Sequence, residues 1–351
     1  MNKRYFLGVF SILLLAFLGN VSAKPKWKLR IPTSVFSIKD LWLSTNAFDQ
    51  GKNIVYAYGR GHIFSIHLND NHIDSIPWKG KVLFEEKFTL DKTGNRLIFG
   101  NGGMQEKFAV DLSTGEINTY SKHRDDEESH FAALYWNEKK QRLGFFGGYG
   151  IYKVKNWAFE YDSLGNWITV HSNIDNCNPP KRTHANLILG HPDKPHLYVL
   201  SGYGNCSGDQ LEQQCVNGIS QFNDVGSWCW LRDLFLYDYE QHTFTQIIGP
   251  HEESMIIEGK GAYDFNNNVM YVVGGRKPIL KGNRIVNESF KNIILKFRIG
   301  RDKQFKVFET DTKLLKQSSI HEEYNSCPFY NPKQKSLIWF RSDGIWELPL
   351  E

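Results

Sequence analysis

The sequence predicts an all-β fold built from six repeated four-stranded units, and three observations carry that prediction. Composition is the first: 30 glycines, 14% aromatic residues and only 4 methionines in 351 residues favour strands and turns over helices. The second is a recurring pattern of apolar strand, Asp/Asn/Gly turn and apolar strand ending near glycine. Such turns join hairpins, because their residues tolerate positive φ. The third is spacing. Gly61, Gly103 and Gly148 lie about 42–45 residues apart, the length of one four-stranded β-propeller blade.

Six copies follow in order. The first runs from Leu41-Trp42-Leu43 through Phe48-Asp49-Gln50-Gly51-Lys52-Asn53 to Ile54-Val55-Tyr56. The second joins Val82-Leu83-Phe84 to the turn Asp91-Lys92-Thr93-Gly94-Asn95 and the strand Arg96-Leu97-Ile98-Phe99. Copy three extends from His130 past Trp136-Asn137 to Gly147-Gly148, and copy four from His184 past Leu197-Tyr198-Val199-Leu200 to Gly202. Copy five holds Asp264-Phe265-Asn266-Asn267-Asn268 and Met270–Gly275, and copy six Tyr330-Asn331-Pro332-Lys333 and Leu337–Phe340. The sixth copy stops after Ile345-Trp346-Glu347-Leu348, one strand short, whereas Trp27–Pro32 precedes the first copy and has no unit of its own. Supplied as the missing outer strand of the last blade, it closes the ring at six.

Within copy three, Gly147-Gly148, Tyr161-Asp162 and Trp167 are spaced in a way that resembles a Kelch repeat. Copy four keeps Tyr237-Asp238 with Phe244 in the Trp position; copy five keeps Gly274-Gly275 with Phe297 and Phe305 downstream. Copies one, two and six are degenerate. The resemblance implies a propeller of the galactose oxidase-like central-domain superfamily. The copper oxidases of that group use a Tyr linked to Cys, a Tyr-His pair and a further His. No adjacent Tyr-His occurs in this chain, so the resemblance stops short of copper chemistry, and no metal or cofactor is expected.

The first 23 residues have the three parts of a secretory signal: Lys3 and Arg4, an apolar run from Tyr5 to Leu18, and small residues at Val21-Ser22-Ala23. The run is shorter than the roughly 20 residues a membrane-spanning helix needs. Residues 24–351 are therefore expected to form one propeller domain outside the cytoplasm, secreted or periplasmic, with no membrane span in the mature chain. Net charge is +4, from 42 basic and 38 acidic residues that are interspersed apart from Asp125-Asp126-Glu127-Glu128. A mixed surface of this kind offers no nucleic-acid face.

Four of the five cysteines fall between Cys177 and Cys229, and in an exported chain such clustering reads as disulfides. An insertion at about 203–230 carries three of them. Pairing Cys206 with Cys215 and Cys177 with Cys229 is the favoured arrangement of the three that four cysteines allow. Cys327 is expected as a buried thiol on an inner strand. The cluster lacks a Cys-x-x-Cys pair and a His between Cys206 and Cys229, which argues against zinc.

First strands of propeller blades line a central channel. Aligning the copies places their starts near Trp42, Phe84, His130, His184, Gly259 and Tyr324. The ligand-binding candidates at the channel mouth are His130, Arg182, His184, Glu258, Lys260, Glu323 and Tyr324. Arg182-Thr183-His184 reads equally as a structural element of its strand. Trp228 and Trp230 in the insertion add aromatic surface suited to sugar rings or partner pockets. The expected function is an exported, non-catalytic binding propeller that recognises a glycan or protein partner through one face. The alternative is a carbohydrate-active enzyme, epimerase- or isomerase-like, with acid and base groups at the channel mouth. No residue is assigned a catalytic role.

Overall fold

The computed structural model describes residues 24–36, 44–59, 62–77, 87–100, 107–121, 132–150, 153–161, 164, 166–171, 179–183, 185–205, 228–249, 259–273, 276–281, 284–290, 294–310, 327–341 and 344–350. Strand β1 (Lys28–Pro32) comes first, followed by a short 3-10 turn at Thr33–Phe36. Blade 1 is β2 (Ser44–Asp49), β3 (Ile54–Gly59), β4 (His62–His67) and β5 (Ile73–Pro77). Blade 2 is β6 (Lys87–Asp91), β7 (Arg96–Gly100), β8 (Lys107–Asp111) and β9 (Ile117–Ser121). In blade 3, β10 (Ala133–Asn137) and β11 (Arg142–Phe146) are separated from β14 (Ala158–Tyr161) and β15 (Trp167–His171) by the small hairpin β12 (Tyr149–Gly150) and β13 (Lys153–Val154). Blade 4 is β16 (Asn186–Leu189), β17 (His196–Asn205), β18 (Trp228–Asp238) and β19 (Thr243–Ile248). Blade 5 opens with β20 (Lys260–Asp264) and β21 (Val269–Val273). It then sends out the hairpin β22 (Arg276–Lys281) and β23 (Arg284–Phe290), and ends with β24 (Ile294–Arg298) and β25 (Lys306–Phe308). Blade 6 is β26 (Phe329–Asn331), β27 (Ser336–Arg341) and β28 (Gly344–Pro349), completed by β1. The chain is a six-bladed β-propeller of antiparallel four-stranded blades, as the repeats predict.

Turn chemistry explains why the inner hairpins form where they do. The last residue of the inner strand accepts a backbone N–H three residues on. Asp49 Oδ1 takes that of Lys52 (3.0 Å), Asp91 that of Gly94 (2.9 Å), Asn137 that of Lys140 (3.2 Å), Asp264 that of Asn267 (3.1 Å) and Asn331 that of Gln334 (3.3 Å). The residue after each donor then turns left-handed: Asn53, Asn95, Gln141, Asn268 and Lys335 lie at φ 60°, 46°, 51°, 56° and 48°. Side-chain capping of this kind mimics a backbone turn, and Asn tolerates the αL region better than most residues. Blade 4 departs from the pattern, with Gly190 and the proline-bearing segment 191–195 at this point.

Alternation along each strand then builds the ring. On β3, Val55 and Ala57 join Phe329, Ile338 and Phe340 of blade 6, while Ile54, Tyr56 and Tyr58 join Phe88, Leu97 and Phe99 of blade 2. On β21, Met270 and Val272 pack against blade 4, and Val269, Tyr271 and Val273 against blade 6. Similar apolar clusters fill the boundaries between blades 2 and 3 and between blades 3 and 4. All six boundaries are thus occupied, and the period-2 pattern feeds two cores from one strand.

The boundary of blade 6 depends on the N-terminal strand. β1 pairs antiparallel with β28, Lys28 opposite Glu347 and Pro32 opposite Gly344. Ile31 enters the cluster between blades 6 and 1, and Trp27, 1% exposed, packs on Trp339 with ring centroids 5.7 Å apart. Gly344 sits at φ +144°, and a Cβ there would lie 2.4 Å from the Ile31 carbonyl oxygen, so only glycine admits this close approach. A chain that begins at Lys39 is expected to melt at a lower temperature and to self-associate; an unchanged melting temperature and solubility would remove β1 from the ring. Trp27→Ala should cost about 3–5 kcal/mol in a denaturant titration.

Candidate functional site

Antiparallel order puts the start of every inner strand at the same end of the ring as the connection from second to third strand. Three consecutive blades enlarge that connection. Blade 3 inserts β12–β13 and blade 5 inserts β22–β23. In blade 4, β17 and β18 simply continue past the sheet: Gly202 faces Leu231, Tyr203 Trp230, Gly204 Cys229 and Asn205 Trp228. The expected insertion at about 203–230 is therefore framed by strand. Trp228, Cys229 and Trp230 belong to this ladder, and residues 206–227 lie outside the described residues.

The channel at this end is lined at one level. Counting back four residues from the inner-strand turn residue reaches Lys87, Ala133, Asn186, Lys260 and Cys327 in blades 2 to 6, with Gly190 as the turn residue of blade 4. In blade 1 a bulge between Ser44 and Ala47 breaks the count. Successive inner strands touch one another from β2 through β6, β10, β16 and β20 to β26. Cross-strand partners give the directions, since paired residues share a face. Asn186 pairs with Leu200, which packs toward blade 5, and Lys260 pairs with Val273, which packs toward blade 6. Lys87 pairs with Gly100 on the side of blade 3 and donates to the Ala132 carbonyl at 2.9 Å.

Blades 2 and 5 are opposite in a six-membered ring, and Lys87 and Lys260 stand at the same level of their inner strands. Burial, and next the charge of Lys260, lower the Lys87 ammonium to about 8, against the smaller opposing pull of Cys327. Burial pushes the Cys327 thiol up, opposed by Lys260 and Lys87. Asn186 is 5% exposed, and its Nδ2 has no hydrogen-bond partner. Among the described residues, Lys260 makes no hydrogen bond or ion pair.

Arg182 has a different task. It is fully buried, and its guanidinium is spent on protein partners: Nη1 and Nη2 donate to Asp233 at 2.6 and 2.8 Å, Nη1 to the Ser201 carbonyl at 3.1 Å and Nε to that of Pro180 at 3.1 Å. Ser201 (φ 49°) is the bulge between Leu200 and Gly202, where the blade sheet becomes the projecting ladder. The bulge takes the Ser201 carbonyl out of the ladder, and Arg182 Nη1 satisfies it while the guanidinium fork grips Asp233 in a bidentate pair. Its backbone is fixed as well. The Arg182 carbonyl accepts the Gly148 N–H at 2.9 Å, and at Gly147 (φ +69°) a Cβ would stand 2.4 Å from that oxygen. The Gly147-Gly148 pair exists to let this segment pass.

At the opposite end a second buried network ties blade 3 to blade 4. Asn137 donates to Glu160 Oε1 at 2.9 Å, and Tyr135 reaches both Glu160 (3.4 Å) and Tyr237 (3.2 Å). A Cβ on Gly144 would overlap the Tyr135 ring, so that glycine makes room for the network. Burial holds the Tyr135 hydroxyl well above its ordinary proton affinity, as suits a structural donor.

Of the residues singled out from sequence, the channel ring contains Lys260. His130, His184, Glu258, Glu323, Tyr324, Cys177, Cys206 and Cys215 lie outside the described residues. Sequence reasoning missed Lys87 and Asn186, although counting back from the turn residue finds both. It placed Cys327 on an inner strand; the residue lies two positions before β26. No protein-family model matches the chain, and no curated protein matches it.

Removing one partner of a buried, bidentate pair leaves the other charge uncompensated. Asp233→Asn and Arg182→Met should each lower stability by about 3–5 kcal/mol, while Arg182→Met combined with Asp233→Leu should recover part of that loss. A double-variant loss equal to the sum of the two single losses, measured by chemical denaturation, would show that the two side chains act independently.

Proposed function

We propose that this protein is an exported, non-catalytic binding propeller that recognises a glycan or protein partner through the face bearing the projecting hairpins. The observation that carries the reading is the grouping of β12–β13, the β17–β18 extension and β22–β23 on consecutive blades at one end of the ring. Rigid scaffolds present function on their connecting segments, and long connections are uncommon in compact domains unless they serve a purpose. The signal-like N-terminus and the clustered cysteines support export. A Kelch-like identity of the blades belongs to the same reading, supported by Tyr161 opposite Trp167 on adjacent strands and by the positive φ of Gly147 and Gly148. The enzymatic alternative draws on one observation, a channel lysine whose proton affinity falls near neutrality, as proton-transfer groups require.

Two experiments test the reading. Wild-type protein is expected to bind glycans on an array, and Trp228→Ala/Trp230→Ala should weaken that binding at least tenfold at an unchanged melting temperature. A large fall in stability would instead assign the tryptophans to anchoring the ladder. For export, alkylation of the unreduced protein followed by mass spectrometry should modify at most one cysteine, Cys327. Alkylation of all five would remove the disulfides.

A further inference from the structure

We propose that the hairpin face takes an anionic glycan, one bearing uronate or sulfate groups, with the tyrosine and tryptophans of the blade 4 ladder at its centre and the basic hairpin of blade 5 beside them. The inference rests on the partner-binding reading above and narrows it to one class of glycan.

Positive charge is concentrated on β22–β23. Arg276, Lys277, Lys281 and Arg284 stand on its two strands against one acid, Glu288, so Arg276–Phe290 carries +3 in a chain whose net charge is +4. The register does not pair those charges off. Lys281 stands opposite Arg284, Arg276 opposite Phe290 and Lys277 opposite Ser289, while Glu288 stands opposite Pro278. Like charges directly opposite on an antiparallel pair are destabilising. A hairpin that forms a two-stranded sheet of its own has little stability to spare. For the fold alone, a carboxylate opposite Lys281 or Arg284 would serve better at the end of this ladder. Basic residues kept there fit a ligand that brings the negative charge itself.

The neighbouring projections suit the same ligand. On blade 4, Tyr203 is opposite Trp230 and Asn205 opposite Trp228. Aromatic rings of this kind give a rigid apolar surface on which sugar rings can lie. On blade 3, Lys153 of β13 is opposite Gly150. Around the ring the order is therefore basic, aromatic, basic, on three consecutive blades. Residues 206–227, with Asp209, Glu212 and Asp224, lie outside the described residues and form no part of the site. A polysaccharide of acidic sugars repeats its charge along its length. It can meet cations on separate blades while its rings lie on the aromatic residues between them. An acidic protein offers the charge without the rings.

Titration of the protein with heparin, polygalacturonate, neutral dextran and poly-L-glutamate tests the proposal. Saturable binding of heparin or polygalacturonate is expected, and the tighter of the two identifies sulfate or uronate. Affinity should fall about tenfold between about 50 mM and about 300 mM sodium chloride, because salt screens exposed charges. Lys281→Gln/Arg284→Gln should weaken binding of the acidic glycan about tenfold without lowering the melting temperature, since it removes a like-charge pair. Arg276→Gln/Lys277→Gln, at the other end of the hairpin, should weaken it likewise. Lys26→Gln/Lys28→Gln removes the same charge from exposed positions at and before β1 and should leave affinity within about twofold. Absence of binding by both acidic glycans would overturn the proposal. So would equal losses in the hairpin and β1 variants, or poly-L-glutamate bound as tightly as the better glycan. Dextran bound as tightly as the acidic glycans, and unmoved by the hairpin variants, would overturn it and leave the partner-binding reading intact. Failure of all four probes alongside an empty glycan array would remove the glycan side of that wider reading as well.

Discussion

Every blade of this propeller has two apolar faces, and neither can be left uncovered. That single constraint organises the molecule. A four-stranded sheet covered on one side only would expose the other half of its alternation, so each blade needs two neighbours, and the need is met only when the sheets close in a circle. The six interblade clusters are one continuous solution to that problem. It is also why β1 matters beyond its five residues: without Ile31 and Trp27, two boundaries lose part of their filling at once. The channel is a by-product of the same geometry. Inner strands that meet their neighbours through side chains leave a central space, and whatever stands at the start of those strands lines it.

Legibility in the sequence follows from how local each signal is. Turns that cap themselves within four residues were readable, because Asp91-Lys92-Thr93-Gly94-Asn95 and its counterparts carry the whole instruction in one stretch. Blade 4, whose turn uses Gly190 and prolines, was found only through its strands. The closing strand was readable by subtraction, since one segment had no unit and one unit lacked a strand. The channel ring was mostly hidden. Lys87 and Lys260 come from opposite blades, and nothing near either residue in the sequence marks the other; their common level on the inner strands is a product of ring closure. Arg182 was misleading for a related reason. Its neighbourhood in sequence suggests a channel mouth, whereas the Ser201 bulge and Asp233, far along the chain, draw it into the protein.

The buried Arg182–Asp233 pair links the blade to the ladder that leaves it. It sits where a regular sheet gives way to the ladder that projects from the ring. A bulge at such a point gives the strands a new direction, and an unsatisfied carbonyl there would let the ladder swing. Filling the bulge with a rigid planar group sets the angle at which the ladder leaves the blade. The direction of the hairpin ladder therefore begins with a residue buried beneath it.

Pairing the two ends of the described chain in one sheet also fixes an order of events in folding. Arg30 and Glu347, 3.4 Å apart in the finished ring, are separated by 317 positions. Blades 1 to 5 assemble from hairpins between near neighbours, but β1, the first of these strands to be synthesised, has no ladder to join until β28 exists. Chain entropy does not forbid the delay, because each doubling of a closing loop adds only about 0.6 kcal/mol. The cost is in time, since contacts of long sequence separation form slowly. During that interval the outer side of β28 is a vacant template for any strand that reaches it first, including β1 of another molecule. Two chains that exchange first strands would satisfy every hydrogen bond of the monomer, and dilution alone would decide between them.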